Sequence, residues 1–138
     1  MKVLVLNGSP RPKGNTSKMT AAFKEAAEAS GHDVCEYRVA GMNINGCLAC
    51  EYYHGISGQL KCAIDRFYSA LYPDAPENLK YIAMFLASGD KDQYTGARFS
   101  FDGDFLGYLG LEDKGFFTCV GEVKTEVLDE IRAMAKGL

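Results

Sequence analysis

The chain has 138 residues, an apolar fraction of 47%, a charged fraction of 24% and a formal net charge of -3. That length suits one domain with a genuine core, and the apolar content excludes an intrinsically disordered chain. The acidic balance, with a pI near 5.4, argues against nucleic acid or an anionic membrane as the main partner, because either rewards a basic face.

The longest apolar runs, Val3 to Leu6 and Tyr81 to Ala87, are too short to cross a bilayer, and no signal-peptide core opens the sequence. The expectation is a cytoplasmic protein of one domain, residues 1–138, without a nucleic-acid or membrane partner. Five cysteines (Cys35, Cys47, Cys50, Cys62, Cys119) are an odd number without a secretory signal, which favours reduced thiols over a disulfide framework.

Lys2 to Asn7 (KVLVLN) is a short, nearly continuous apolar run closed by Gly8, the pattern of a strand buried on both faces of a parallel sheet. Asn15 to Ser30 carries Met19, Ala22, Phe23 and Ala26 at helical spacing, with Asn15, Thr16 and Ser17 as candidate N-caps and Gly31 as the stop. Asp33 to Ala40 alternates and predicts a strand nearer the sheet edge. A second amphipathic helix is predicted over Ser57 to Leu71, with Ile56, Leu60, Ile64, Phe67 and Leu71 on one face, and Tyr72 to Asp74 ends it.

Leu79 to Ala87 (LKYIAMFLA) is the most strand-like run, followed at once by Ser88, Gly89 and Asp90. A helix is predicted near Phe99 to Leu109, a last strand at Gly115 to Val120, and a terminal helix over Glu122 to Lys136 with Val123, Val127, Ile131 and Met134 on its apolar side. Alternating strands and helices predict a three-layer α/β/α sandwich with a mainly parallel sheet. Ligands of such folds sit beyond the carboxyl ends of the strands, which directs attention to Gly8–Thr16, Gly41–Gly55 and Ser88–Ala97.

The first of these loops, GSPRPKGNT, leaves an apolar strand and enters a helix, so its backbone N–H groups and the helix's positive end face one pocket. Ser9, Asn15, Thr16 and Ser17 offer short donors that can converge on phosphate oxygens, and Arg11 or Lys13 adds charge. It is not a Walker loop, since Gly14 is followed by Asn15 instead of Lys, and it lacks the G-x-G-x-x-G spacing of dinucleotide sites. A single terminal phosphate, such as that of FMN, fits a hydroxyl-rich loop better than a polyphosphate; the alternative is a polar loop that merely caps the helix.

KVLVLNGSPRPKGNTSKM resembles the opening of the flavodoxin-like NADPH-dependent FMN reductase family, which includes iron-sulfur flavoproteins and quinone reductases. The resemblance implies that Ser9, Arg11, Asn15, Thr16 and Ser17 hold the FMN phosphate. Further on, GCLACE resembles the family's cysteine-bearing segment, and LKCAIDR (Leu60 to Arg66) resembles a helix that follows the family's flavin-covering loop. Compared with that family, roughly 35 residues are missing between the two, at or near Glu51 and Tyr52, about the helix-plus-strand piece of one βαβ unit.

In a sheet of order 2-1-3-4-5 the missing strand is central. The expected fold is therefore a flavodoxin-like α/β/α sandwich lacking one central strand, with four strands remaining. Closing such a sheet calls for the first strand to pair directly with the strand at Leu79, with Ser57 to Leu71 as the crossover; the alternatives are a rearranged sheet, help from another subunit, or an artificial or erroneous deletion.

Three chemistries fit Cys47 and Cys50. An iron-sulfur cluster needs four thiolates, and Tyr53 stands where a third would continue the pattern. Zinc has a conceivable set in Cys47, Cys50, His54 and Cys62, although one C-x-x-C is weak evidence. The third reading, and the expectation, is a pair of reduced thiols without metal. Tyr52, Tyr53 and His54 beside Gly55 suit the covering of one face of a flavin ring, or ordinary aromatic packing under a loop.

The resemblance also implies that Ser88, Gly89 and Asp90 approach the flavin ring. It implies chemistry carried by FMN with NAD(P)H as reductant and a small acceptor such as a quinone, a nitro compound or free flavin, so that no catalytic side chain is required. A homodimer or homotetramer is the assembly expected. Phe99, Phe101, Phe105 and Tyr108 are candidates either for an acceptor wall or for the core, and Asp65 and Arg66 are read as helix-surface ions. The competing functions are a flavodoxin-like electron carrier and a family member that folds without binding FMN.

Overall fold

The computed structural model describes residues 1–44, 56, 58–71 and 77–138. In chain order these form strand β1 (Lys2–Asn7), helix α1 (Asn15–Ala29), strand β2 (Asp33–Arg38), a 3-10 turn (Val39–Gly41), helix α2 (Gly58–Leu71), strand β3 (Tyr81–Ser88), helix α3 (Thr95–Ser100), a π-helical stretch continuous with it (Phe101–Tyr108), strand β4 (Glu112–Val120) and helix α4 (Thr125–Lys136). Four strands alternate with helices, as the periodicity predicts.

Helix α1 forms where Met19, Ala22, Phe23, Ala26 and Ala27 recur on one face, and all five are buried. The alanines leave room for α4, whose Ile131 and Ala135 are fully buried against the same cluster. From the sheet, Val5, Phe85, Phe117 and Cys119 join it. Phe85 stands between Phe23 and Phe117, with ring centroids 5.7 and 5.6 Å away. On the opposite side of β4, Phe116 meets Phe101 of the π-helical stretch edge-on at 5.3 Å, with the Arg98 guanidinium over both rings. The sheet is thus covered from two sides.

Strand β1 pairs in parallel with β2, Lys2 opposite Asp33 through Asn7 opposite Arg38. Strand β3 pairs in parallel with β4, Tyr81 opposite Glu112 through Ser88 opposite Val120. Among the described residues β1 and β3 are not hydrogen-bonded to each other, so the sheet stands as two two-stranded halves. Direct pairing of the first strand with the one at Leu79 is therefore not what closes this molecule. The physical reason lies in the helix layer: α1 packs on β1, β2 and β3, α4 packs on β4 and on α1, and this pair of helices sets the spacing of the halves.

Two boundaries differ from the periodicity. Strand β4 begins at Glu112, three residues before the predicted start, because a register shift between Ile82 and Ala83 leaves Lys114 without an opposite number and breaks the alternation. Gly115 sits in that bulge at φ +139°, where a Cβ would lie 2.3 Å from the Phe117 ring. The helix predicted near Phe99 starts at Thr95, and its second half is π-helical, which shifts its side-chain spacing away from the 3.6-residue period.

Candidate functional site

The carboxyl ends of β1 and β3 open into one large cavity of about 1510 Å³, lined by Gly8, Ser9, Arg11, Asn15 and Thr16 from the first loop and by Ser88 to Asp90, Gln93 and Tyr94 from the third. Its position is the one the strand order predicts for a ligand.

The first loop is built from its own side chains. Asn7, 1% exposed, donates from Nδ2 to Thr20 Oγ1 at 3.2 Å and to Glu36 Oε1 at 2.9 Å, and its Oδ1 accepts from Ser9 N at 3.0 Å. A buried amide with three partners fixes where β1 ends and the turn begins. Ser9 Oγ donates to the Arg11 carbonyl at 3.1 Å, and Ser17 Oγ donates to the same oxygen at 2.9 Å. Gly14 N donates to it as well at 3.0 Å. Gly14 is where the loop closes on itself: a Cβ there would lie 3.1 Å from Arg11 Cβ and 3.3 Å from Ser9 Oγ.

These bonds revise the reading of individual residues. Gly14 is the N-cap of α1, and no side chain caps the helix, so Asn15, Thr16 and Ser17 are first-turn residues and not caps. Their N–H groups have no acceptor within the helix, whose first internal bond is Lys18 N to Gly14 O at 2.9 Å. Asn15 reaches across to the loop after β4, donating from Nδ2 to the Gly121 carbonyl and accepting from Val123 N at 3.3 Å. Ser9, Asn15 and Ser17 therefore shape the loop. Thr16 lines the cavity, and Arg11 is exposed at its mouth. No acidic residue occupies the first turn, so the positive end of α1 faces the cavity uncompensated.

The third loop is tied to the same region. Ser88 Oγ accepts from Asp90 N at 3.2 Å, and the Ser88 carbonyl accepts from Gly121 N at 3.0 Å. The Tyr94 hydroxyl donates to the Cys119 carbonyl. Burial, and then the neighbouring Cys119, push the Tyr94 phenol above its ordinary pKa; burial likewise raises the Cys119 thiol, partly offset by Lys18. Ser88, Gly89 and Asp90 thus meet the first loop at one cavity, as the sequence predicts.

Gly121 escaped the sequence reading, and Gln93 and Tyr94 fell within the loop Ser88–Ala97 without being named. Only the position of Gly121, just past the last strand of a parallel sheet, carried a signal for it. Of the four aromatics weighed as an acceptor wall, Phe101 and Phe105 are buried and Phe99 and Tyr108 exposed, and Phe105 alone lines the cavity. Asp65 accepts from Lys61 at 3.2 Å on the exposed surface of α2. Tyr52, Tyr53, His54 and Gly55, together with Cys47 and Cys50, lie outside the described residues. Cys35, Cys62 and Cys119 are free thiols. Among the described residues no helix is long and apolar enough to cross a membrane.

Residues 1–52 match the family model described as NADPH-dependent FMN reductase. The match bears out the resemblance seen in the first loop and ends at Tyr52. Among solved structures, an NAD(P)H:quinone oxidoreductase from Methanothermobacter marburgensis superposes with a TM-score of 0.71 at 16% identity, covering 99% of this chain and 96% of that one. A flavodoxin from the domain Archaea gives 0.63 at 16% identity over 99% and 95%, and the Trp repressor binding protein from Bacillus subtilis gives 0.60 at 22% over 97% and 94%. The fold is flavodoxin-like, as expected. A search of curated proteins gives no match.

Proposed function

We propose that the chain is an FMN-binding oxidoreductase that takes reducing equivalents from NAD(P)H and passes them to a small acceptor, a quinone, a nitro compound or free flavin. The observation that carries this reading is the uncapped, acid-free N-terminus of α1 opening into the cavity at the carboxyl end of β1. The matched family model over residues 1–52 supports the choice of FMN among phosphate-bearing ligands.

The residues present fit the cofactor's phosphate. The N–H groups of the first turn of α1 would hold it, with Thr16 beside them and Arg11 adding charge at the mouth, while Ser9, Asn15 and Ser17 keep the loop in shape. Ser88, Gly89 and Asp90 would meet the ring. FMN, when bound, supplies the hydride and electron chemistry, so the protein's task is to bind and orient it and to limit water. Tyr94, its hydroxyl held by Cys119 and its acidity weakened by burial, stays protonated at neutral pH and braces the third loop. We place the reaction in the cytoplasm, in a homodimer or homotetramer.

The test is titration of the purified protein with FMN, followed by visible absorbance. FMN should bind at least tenfold tighter than riboflavin, which lacks the phosphate, and bound flavin should bleach on addition of NADPH and recover with a quinone. A protein that stays colourless after FMN is added overturns the reading.

A further inference from the structure

Asn15 works through its backbone and its side chain in two different places. Its N–H belongs to the first turn of α1, among the groups that have no acceptor inside the helix. Its side chain is turned to the loop after β4. There Nδ2 donates to the Gly121 carbonyl, and Oδ1 accepts from Val123 N at 3.3 Å. A side-chain amide holds a donor and an acceptor side by side, so it can clasp a carbonyl and an N–H two residues apart on one stretch of backbone. Three residues on, Lys18 adds an exposed ion pair to Glu122 at 3.0 Å, a minor tie between the same two segments.

The stretch that Asn15 clasps also carries the third loop. Ser88 is opposite Val120 at the carboxyl end of the β3–β4 ladder, and Gly121 N donates to the Ser88 carbonyl at 3.0 Å, which extends the bonding one residue further. At the far end of that loop the Tyr94 hydroxyl donates to the Cys119 carbonyl. Ser88 to Tyr94 is therefore anchored at both ends on Cys119–Gly121. Gly121 faces both ways: its N–H goes to the third loop and its carbonyl to the first.

We propose that Asn15 is a positioning residue for the ring end of the cofactor site: its clasp on Gly121 and Val123 fixes how far the third loop stands from the first turn of α1. This rests on the FMN reading and extends it, since it makes the ring's surroundings depend on a side chain at the phosphate end. A cofactor that touches both loops is oriented only as well as the loops are held to each other, and a displacement of about 1 Å is enough to matter. Coupling of this kind is carried by a continuous run of hydrogen bonds, and here the run is Asn15, Gly121, Ser88.

The test compares FMN with riboflavin, which lacks the phosphate, on the parent, Asn15→Ala and Gly121→Ala. Asn15→Ala keeps the backbone N–H of the first turn and removes the clasp alone. Gly121→Ala loads the clasp from its other side, because residue 121 sits at φ +68° while nothing lies within 4 Å of an added Cβ. Asn15→Ala should weaken both flavins by a similar factor, about three- to tenfold, and shift the absorption band of the bound flavin. Gly121→Ala should shift the band the same way by less. FMN weakened with riboflavin affinity and spectrum unchanged would show that the side chain serves the phosphate alone, and that overturns the proposal.

Amide hydrogen exchange on the chain without flavin, read by NMR, is the second measurement. The Gly121 N–H keeps its own acceptor, the Ser88 carbonyl, in Asn15→Ala, so faster exchange there reports transmission through the clasp. It should speed up at least threefold together with Val123. Faster exchange at Val123 alone would show that the clasp holds nothing beyond itself and would also overturn the proposal. A parent that binds neither flavin removes the cofactor reading, while the exchange at Gly121 still decides whether Asn15 joins the two loops.

Discussion

Val5 and Leu4 are neighbours on one strand, yet Val5 is 8% exposed and Leu4 49%. Val5 points into the cluster made by α1 and α4, where Met19, Ala27, Ile131 and Ala135 are fully buried. The same contrast holds in β3: it is the most apolar strand of the chain, and none of its eight residues is fully buried. The difference is one of neighbours, not of composition. A strand with this much aliphatic character is built for a sheet covered on both faces and paired on both edges, and here α1 and α4 pack closely while, among the described residues, β1 and β3 are not bonded to each other.

The sharpest way to probe that contrast is to delete methyl groups on each side. Ile131→Ala should cost about 2–5 kcal/mol, because a fully buried side chain leaves a cavity in a well-packed cluster. Leu4→Ala should cost less than about 1 kcal/mol, since half of its side chain is already in solvent. Denaturant unfolding of both variants measures the pair. Equal losses would mean that Leu4 is as well buried in solution as Ile131.

The next effect concerns the joint between the two regions. Asn7 ends β1, is almost completely buried, and ties Thr20 of α1 to Glu36 of β2. Asn7→Ala removes three hydrogen bonds and should lower stability by about 1–3 kcal/mol, while releasing the Ser9 N–H that shapes the loop. Unfolding midpoints give the first effect and FMN affinity the second. A variant as stable as the parent would mean that this bridge is not formed in solution.

Much of this architecture was legible because the signals are local. The apolar run of β1, the spacing of Met19, Phe23 and Ala26 in α1, and Ile131 on the face of α4 each report the element that buries them, and all four strands lie where the periodicity put them. The spacing of the two sheet halves was not legible, since it is set by α1 packed on α4, a contact between residues more than a hundred positions apart. The candidate site divides in the same way. The glycine loop announced itself by strand, turn and helix in sequence, whereas the work of Asn15 depends on Gly121, which is distant in the chain. The sequence reads Asn15 as a phosphate donor, and the bridge its side chain makes between two loops has no local signal. The short bulge at Gly115 and the π-helical stretch after α3 hid their boundaries because each alters the period on which the reading rests.

A smaller effect tests whether the mouth of the cavity acts independently of the α1 and α4 cluster. Gly14→Val places a Cβ at 3.1 Å from Arg11 Cβ and 3.2 Å from the Arg11 carbonyl, so the loop must open slightly. The expected result is a loss of FMN affinity of about tenfold with a stability change within about 1 kcal/mol, because the strain falls on an exposed loop remote from the α1 and α4 cluster. A loss of global stability comparable to that of Ile131→Ala would show instead that the loop and the cluster unfold together.

The smallest effect is a slope with pH, and it comes from the side of the sheet that is closed. Burial raises the Cys119 thiol above its ordinary 9.0 and the Tyr94 phenol above its ordinary 10.0. A group whose pKa is higher in the folded chain than in the unfolded one favours folding while it is protonated, and that contribution is complete below the unfolded value and lost as pH rises through the folded one. Stability should therefore be flat in these two groups at neutral pH and decline from about pH 9 upward, first through Cys119 and then through Tyr94. Cys119→Ala should remove the earlier part of the decline and Tyr94→Phe the later part, at the expense of the hydrogen bond to the Cys119 carbonyl. Thermal melts between neutral pH and the alkaline limit of folding supply the curve. A decline in the double variant as steep as in the parent would place the alkaline sensitivity elsewhere.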